Sequence, residues 1–219
     1  MSFAAFAKAS GRSKRPDVLA RMHFEPGHIY HLYNRGNNKV PIFFSSKNYL
    51  YLLAKVRTEW LSFCDVFSYC LMPNHFHFML QANNDGCQPV TLKAKSTHLQ
   101  NLSKAIGKSL SSYTQAVNIQ NNTTGNLFQK KTKAKCLTDP LLSVRFTTGD
   151  YLRNCFFYIH NNPLAANLVA DLKDWPYSSW LDYYGFRNGS LCNQKKAIQF
   201  LDIGDRDLKA PCTNNQMVI

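Results

Sequence analysis

The stretch Cys64-Asp-Val-Phe-Ser-Tyr-Cys-Leu-Met-Pro-Asn-His-Phe-His-Phe-Met-Leu80 decides the fold. Its first half, through Leu71, is dominated by residues that suit a pleated, half-buried surface, and Met72-Pro73-Asn74 interrupts it. His75 to Leu80 then resumes the same character, which predicts neighbouring antiparallel strands joined by a tight turn. Side chains alternate across a strand, so His75 and His77 leave one face while Phe76, Phe78 and Leu80 leave the other. The aromatic face belongs to a core, and the histidine face is left for something else.

Working outward, His28-Ile-Tyr-His-Leu-Tyr33 reads as a strand stopped by the turn cluster Asn34-Arg35-Gly36-Asn37-Asn38. Ser45 or Ser46 then caps a helix carrying Leu50, Leu53, Val56 and Trp60. Beyond the central pair, residues 81–91 read as a loop. Ser96 to Ile119 reads as a helix, because Leu99, Leu102, Ile106, Leu110, Tyr113 and Val117 recur at helical spacing. Residues 126–137 form a basic extended segment. A last major helix, capped by Asp150, runs through Tyr158 to about Asn161 and is ended by Pro163. The order β-α-β-β-α-β-α predicts an α+β fold on an antiparallel sheet.

The chain has 219 residues, 45% of them hydrophobic, enough for one domain with a sizeable core. Lys and Arg number 26 against 13 Asp and Glu, a formal charge of +13, which suits a phosphate-bearing partner better than a neutral metabolite. Between Val66 and Thr138 the only acid is Asp85, against Lys93, Lys95, Lys104, Lys108, Lys130, Lys131, Lys133 and Lys135. A solvated lysine face is the plain reading; the near absence of acids favours a surface that tracks a nucleic-acid backbone. The seven cysteines include no CxxC pair, so reduced thiols in the cytoplasm are expected rather than a disulfide framework. No apolar run approaches the roughly 20 residues that span a bilayer. Residues 1–23 are expected to form a mobile basic arm rather than a secretory signal.

Two places carry chemistry. The imidazoles of His75 and His77 leave one strand face about 7 Å apart at Cα, within reach of a shared metal ion. HxH alone is a weak motif, and ligand and structural readings both stand. In the last helix Tyr151, Cys155, Tyr158 and Asn162 share a face beside the apolar stripe Leu152, Phe156 and Ile159. A core tyrosine and a helix-ending asparagine are the ordinary readings; the other is a phenol with an amide oxygen one turn away. Gly107-Lys108-Ser109 is no phosphate loop, since Leu102 occupies the position of the required glycine and the helical period runs straight through. With Asp85 alone in the basic half, a carboxylate two-metal nuclease has too few oxygen ligands.

Tyr30-His-Leu-Tyr-Asn-Arg-Gly-Asn-Asn38, Tyr69-Cys-Leu-Met-Pro-Asn-His-Phe-His77 and Tyr158-Ile-His-Asn-Asn-Pro163 resemble the REP-associated tyrosine transposases, in the HUH nuclease superfamily. Ser103 to Thr114, Gly125 to Gln129 and Trp175 to Ser179 are similar to further segments in the same order. The likeness covers residues 24–184, which are expected to form the HUH domain, with 185–219 an extension of unknown role. Lys130-Lys131-Thr132 departs from the Gly-Arg-aromatic pattern of the family, and Ala166-Asn167 stands where Ala-Gly is usual.

The resemblance implies a ferredoxin-like antiparallel sheet with helices packed on one face. It implies His75, His77 and Asn162 as ligands of Mg²⁺ or Mn²⁺, and Tyr158 as the nucleophile. The reaction is then cleavage and rejoining of single-stranded, hairpin-bearing DNA through a 5′-phosphotyrosine, with no nucleotide cofactor. DNA contacts are expected at Arg35, Lys104, Lys108, Lys130, Lys131, Lys133 and Lys135. A homodimer is compatible with the family, as is a monomer, and the protein is expected in the cytoplasm, on the nucleoid when DNA-bound. The alternatives are a non-catalytic hairpin DNA or RNA binder of the same fold and a metal-dependent phosphoesterase acting on small substrates.

Overall fold

The computed structural model describes residues 22–92, 95–139, 148–204 and 208; most of the expected N-terminal arm, Lys93 and Cys212 lie outside these. The first strand, β1 (Ile29–Arg35), runs past Tyr33, so Asn34 and Arg35 are strand residues rather than part of a turn. Long-range backbone pairing extends it: the amide of Gln129 donates to the Arg35 carbonyl, and the amide of Gly36 to that of Asn74. The turn begins only at Gly36, where an added Cβ would meet the Val40 carbonyl oxygen at 2.2 Å, so glycine is required by close backbone approach.

Helix α1 (Ser46–Glu59) starts after Ser45, as its sequence signals. Its buried stripe is Tyr49, Leu52 and Val56, continued by Trp60, whereas Leu50 is 61% exposed. The expected stripe through Leu50 and Leu53 is therefore rotated toward Leu52. The side chain of Asn48 ties this end together. Its Oδ1 accepts from the amides of Phe44 (2.9 Å) and Ser45 (3.0 Å), and its Nδ2 donates to Gln120 Oε1 at 2.7 Å. Asn48→Ala removes the three bonds of a buried side chain, but its partners sit on exposed residues that water can reach, so it should destabilise the protein by about 1 kcal/mol in urea denaturation, with Lys47→Ala as a neutral neighbour.

Strands β2 (Cys64–Met72) and β3 (His75–Ala82) form the expected antiparallel pair, Met72 opposite His75 across the Pro73-Asn74 turn. The expected loop 81–91 is largely structured. β3 continues to Ala82, a short helix α2 (Asn84–Cys87) follows, and β4 (Pro89–Leu92) pairs with β5 (Lys95–Gln100). Helix α3 (Asn101–Asn121) thus starts at Asn101, not Ser96. Gln100 holds the preceding backbone extended: its side chain accepts from Phe24 N and donates to the carbonyls of Phe24 and Cys87. From Leu102 to Val117 the apolar stripe is buried as its spacing predicts. The basic segment narrows to a strand, β6 (Lys133–Cys136), preceded by an isolated bridge between Phe128 and Gly36.

The main sheet has the order β2-β3-β1-β6, every neighbouring pair antiparallel. β3 lies between β1 and β2, which is the split βαβ arrangement of ferredoxin-like folds. The α+β class and antiparallel sheet are as expected, but the helices pack on both faces rather than one. α1 and α3 share one face, where Trp60 packs edge-on against Phe78 (5.1 Å between centroids) and Tyr113 meets Phe128. The opposite face carries His31, Tyr33, Arg35, His75 and His77 and receives α4 (Thr148–Ala165).

Asp150 lies inside the first turn of α4 rather than capping it, and the helix dipole favours a carboxylate there. The helix also runs through Pro163 to Ala165 instead of stopping before it. Proline removes one donor, and Asn162 Nδ2 reaches toward the Ile159 carbonyl that loses it, at 3.5 Å. Past α4, helices α5 (Trp180–Tyr183) and α6 (Gln194–Leu201) close the fold. Leu191, Cys192, Ala197, Leu201 and Ile203 join the main core, and Lys196 pairs with Asp65 of β2. No helix among the described residues is long and apolar enough to cross a membrane.

Candidate active site

Strand pairing fixes the first half of the site. Arg35 stands opposite His75, Tyr33 opposite His77 and His31 opposite Met79, so the alternation of both strands delivers these side chains to one face. The rings of His75 and His77 lie 4.9 Å apart, and His77 stacks on His31 at 5.0 Å. His77 Nδ1 and His31 Nε2 share a hydrogen bond of 2.8 Å. From α4, the Tyr158 ring meets His77 edge-on at 5.5 Å and His31 at 6.1 Å. The phenol and both imidazoles of the HxH pair therefore share one side of the sheet. They line a cavity of about 400 Å³ with Tyr33 and Arg35, while Asn34, Gln129, Lys131 and Lys133 complete its wall.

Asn162 follows Tyr158 by one turn of α4 and is not among the residues that line the cavity. Its Nδ2 donates to the Tyr158 carbonyl at 2.8 Å, which leaves Oδ1 as the atom available beyond the helix. Its side chain is near enough to act on the protonation of both His75 and Tyr158. The helix-ending role expected for it as the plain alternative is thus not what the backbone shows. His75 is oriented from its other side by Asn74, whose Oδ1 lies 2.6 Å from Nδ1. That contact places the proton on Nδ1, as a hydrogen-bonded carbonyl does for a ligating imidazole.

Burial sets the protonation states. It pushes His31 down to about 4, helped by Lys135. It holds His77 well below the ordinary histidine value, with His31 and His75 adding to the effect. His75 is lowered by burial too, against an opposing hydrogen bond from Asn162. All three imidazoles are therefore neutral at pH 7, with lone pairs rather than charges to offer. Burial raises the Tyr158 phenol, Cys155 and Tyr33 add to this, and Asn162 opposes it. The hydroxyl stays protonated at neutral pH.

The cations expected to contact DNA separate into groups. Arg35, Lys131 and Lys133 line the cavity, Lys133 Nζ lying 5.6 Å from the Tyr33 ring centroid. Lys135 is on the same sheet face, paired with His31, its ammonium 5.4 Å from the Tyr151 ring. Lys130 borders an adjoining groove against α3, lined by amides and hydroxyls such as Thr114, Gln115 and Asn118. Lys104 is exposed on α3 and lines neither cavity. Lys108 is turned to α1, where it pairs with Glu59 at 2.8 Å. Among the described residues no carboxylate lines this cavity, and its charged lining side chains are Arg35, Lys131 and Lys133.

His31, Tyr33, Asn74 and Gln129 are site residues that sequence reading passed over. A signal existed for the first two: His31, Tyr33 and Arg35 alternate along a strand, as His75 and His77 do. What no local pattern gives is that the two strands are neighbours in a register that superposes these faces.

Among the described residues no group of three or more His, Cys, Asp and Glu gathers as a metal site. The donors that do gather are neutral imidazole nitrogens and an amide oxygen. His77 Nε2 is buried without a hydrogen-bond partner. This set fits a divalent ion that keeps open positions for phosphate and water.

No protein-family model matches the sequence, and no curated protein matches it either. Among solved structures the chain is similar to a REP-associated tyrosine transposase bound to a REP hairpin. The identity is 16% and the TM-score 0.49, over 73% of this chain and 80% of that one. It is also similar to a bacterial tRNA(His) guanylyltransferase-like protein in complex with GTP, at 12% identity and TM-score 0.38 over 70% and 74%. The complex of such a protein with ATP gives 13% and 0.38 over 80% and 76%.

Proposed function

We propose that this chain is a tyrosine transposase, cleaving and rejoining single-stranded, hairpin-bearing DNA through a 5′-phosphotyrosine on Tyr158. The observation that carries this reading is the convergence of the Tyr158 phenol with His75 and His77 in one cavity whose charged lining, among the described residues, is cationic. A phosphodiester is the substrate such a cavity suits, since Arg35, Lys131 and Lys133 supply the counter-charge. The hairpin preference comes from the resemblance of the sequence motifs.

In the proposed step the Tyr158 oxygen attacks phosphorus, the P–O3′ bond breaks, and the 5′ phosphate passes to the phenol oxygen. The phenolic proton leaves to solvent and the departing 3′ oxygen takes one up, giving a free 3′-OH. The bond energy stays in the phosphotyrosyl link, so rejoining reverses the same exchange without a nucleotide. His75, His77 and Asn162 would hold a divalent cation, Mg²⁺ or Mn²⁺, which when bound polarises a non-bridging phosphate oxygen. Edge-on packing against His77 and His31 fixes the direction from which the phenol approaches.

The test is to incubate the protein with single-stranded hairpin oligonucleotides and Mn²⁺ and to look for a protein–DNA adduct on a denaturing gel. Hairpin binding without an adduct would leave a non-catalytic binding module. Salt dependence separates the third reading. Binding should weaken by about 0.7 log units per log salt for each phosphate neutralised, and a flat response would point to a small-substrate phosphoesterase. Lys131→Ala and Lys133→Ala should each flatten that slope by about 0.7, while Lys108→Ala leaves it unchanged because Glu59 already occupies its ammonium.

A further inference from the structure

We infer that His31 is a positioning residue for cation binding: when a cation is held, His31 Nε2 accepts the Nδ1 proton of His77 and so lets His77 Nε2 present its lone pair to the ion. The inference rests on the proposed cation site, and goes beyond it by assigning work to a side chain outside the ligand set.

Three observations converge. His31 is 2% and His77 6% exposed, so neither ring can exchange its partner for water. Their nitrogens are 2.8 Å apart with the rings nearly stacked, 25° between planes, so the bond is fixed by strand register. The outer nitrogen of each ring, His31 Nδ1 and His77 Nε2, is buried without a partner.

A bond between two neutral imidazoles admits two proton arrangements. In one, His77 donates from Nδ1 and its Nε2 is bare, the remaining proton sitting on His31 Nδ1. In the other, His31 donates from Nε2 and the remaining proton blocks His77 Nε2. Either way one N–H and one lone pair are left unsatisfied in the interior, so packing alone chooses weakly between them. A cation can be held only in the first arrangement, where its binding satisfies the lone pair. The His31–His77 pair is therefore a tautomer couple that cation binding sets. It plays the part that a carboxylate or carbonyl plays behind other ligating histidines.

The test uses the full chain labelled with ¹⁵N-histidine and titrated with Zn²⁺ as a diamagnetic probe. Zn²⁺ should move the His77 Nε2 resonance, with Nδ1 carrying the proton. In parallel, Mn²⁺ affinity is measured by electron paramagnetic resonance. His31→Phe keeps an aromatic ring but offers no acceptor, and should weaken Mn²⁺ binding about 10–100-fold. His31→Gln restores an acceptor oxygen and should recover most of the loss. The His31→Phe melt should fall, because His77 Nδ1 loses its buried partner, and His31→Gln should restore it. Measured well below both melts, cation-free DNA binding should be close to wild type in both, so that the Mn²⁺ loss is not a loss of fold. If neither variant folds, the wild-type resonances decide alone.

A His77 Nδ1 without a proton in the Zn²⁺ complex, or His31→Phe binding Mn²⁺ as tightly as wild type, overturns the inference and spares the cation site. A wild-type protein that binds neither ion overturns both.

Discussion

Tyr158→Phe is expected to abolish covalent attachment to DNA, a loss of more than about 10³-fold in adduct formation, while binding stays within a few-fold. The substitution removes one oxygen atom. The ring that remains keeps its edge-on contacts with His77 and His31, and the Asn162 Nδ2 bond to the backbone does not involve the phenol. Folding and phosphate contacts at Arg35, Lys131 and Lys133 should survive, so a lost adduct reports lost chemistry. Tyr33→Phe is the matching control, because Tyr33 is the other phenol lining the cavity. An adduct that persists in Tyr158→Phe and vanishes in Tyr33→Phe would move the nucleophile from α4 to β1.

Much of this arrangement is legible one element at a time. The alternation in His75 to Leu80 assigns the faces of β3, and the helical period from Leu102 to Val117 assigns the buried side of α3, because each depends on a few neighbouring residues. The misreadings fall where distant partners decide. Ser96 to Gln100 fits a helical period by the spacing of Leu99 and Leu102, yet Gln100 is held extended by Phe24, far away in sequence. Arg35 reads as a turn residue until Gln129 supplies the bond that continues the strand. Pro163 reads as a stop because the compensating donor is a side chain, Asn162.

The candidate site divides in the same way. His75, His77, Tyr158 and Asn162 were reachable because alternation in one strand and i, i+4 spacing in one helix place them in pairs. That the pairs meet is a property of the sheet order β2-β3-β1-β6 and of α4 lying on the histidine face. His31 lay hidden because its alternation with Tyr33 and Arg35 gains meaning only once β1 pairs with β3 in the register that superposes the two faces. Lys108 looked like its neighbour Lys104 until α1 brought Glu59 against it.

Replacing the imidazoles should have the second large effect. His75→Ala is expected to reduce cleavage by about 10³-fold or more in Mg²⁺ or Mn²⁺, several kcal/mol of barrier, and to leave stability nearly unchanged. The distinction from His77→Ala is physical. His77 is buried and bonded to His31, so its removal opens a void and strands His31 Nε2, adding a stability loss of about 1–3 kcal/mol to the loss of activity. His75 is only half-buried at the mouth of the site, and its partner Asn74 remains open to water. A chelator should reproduce the His75→Ala effect on cleavage in the wild-type protein. It should not release the DNA, because Arg35, Lys131 and Lys133 belong to the chain and hold phosphate without the cation. Cleavage indifferent both to His75→Ala and to chelation would mean that the neutral histidines serve only to pack α4 against the sheet. The cationic wall would then be acting alone on the phosphate, and Tyr158 would have to react with no more help than that wall provides.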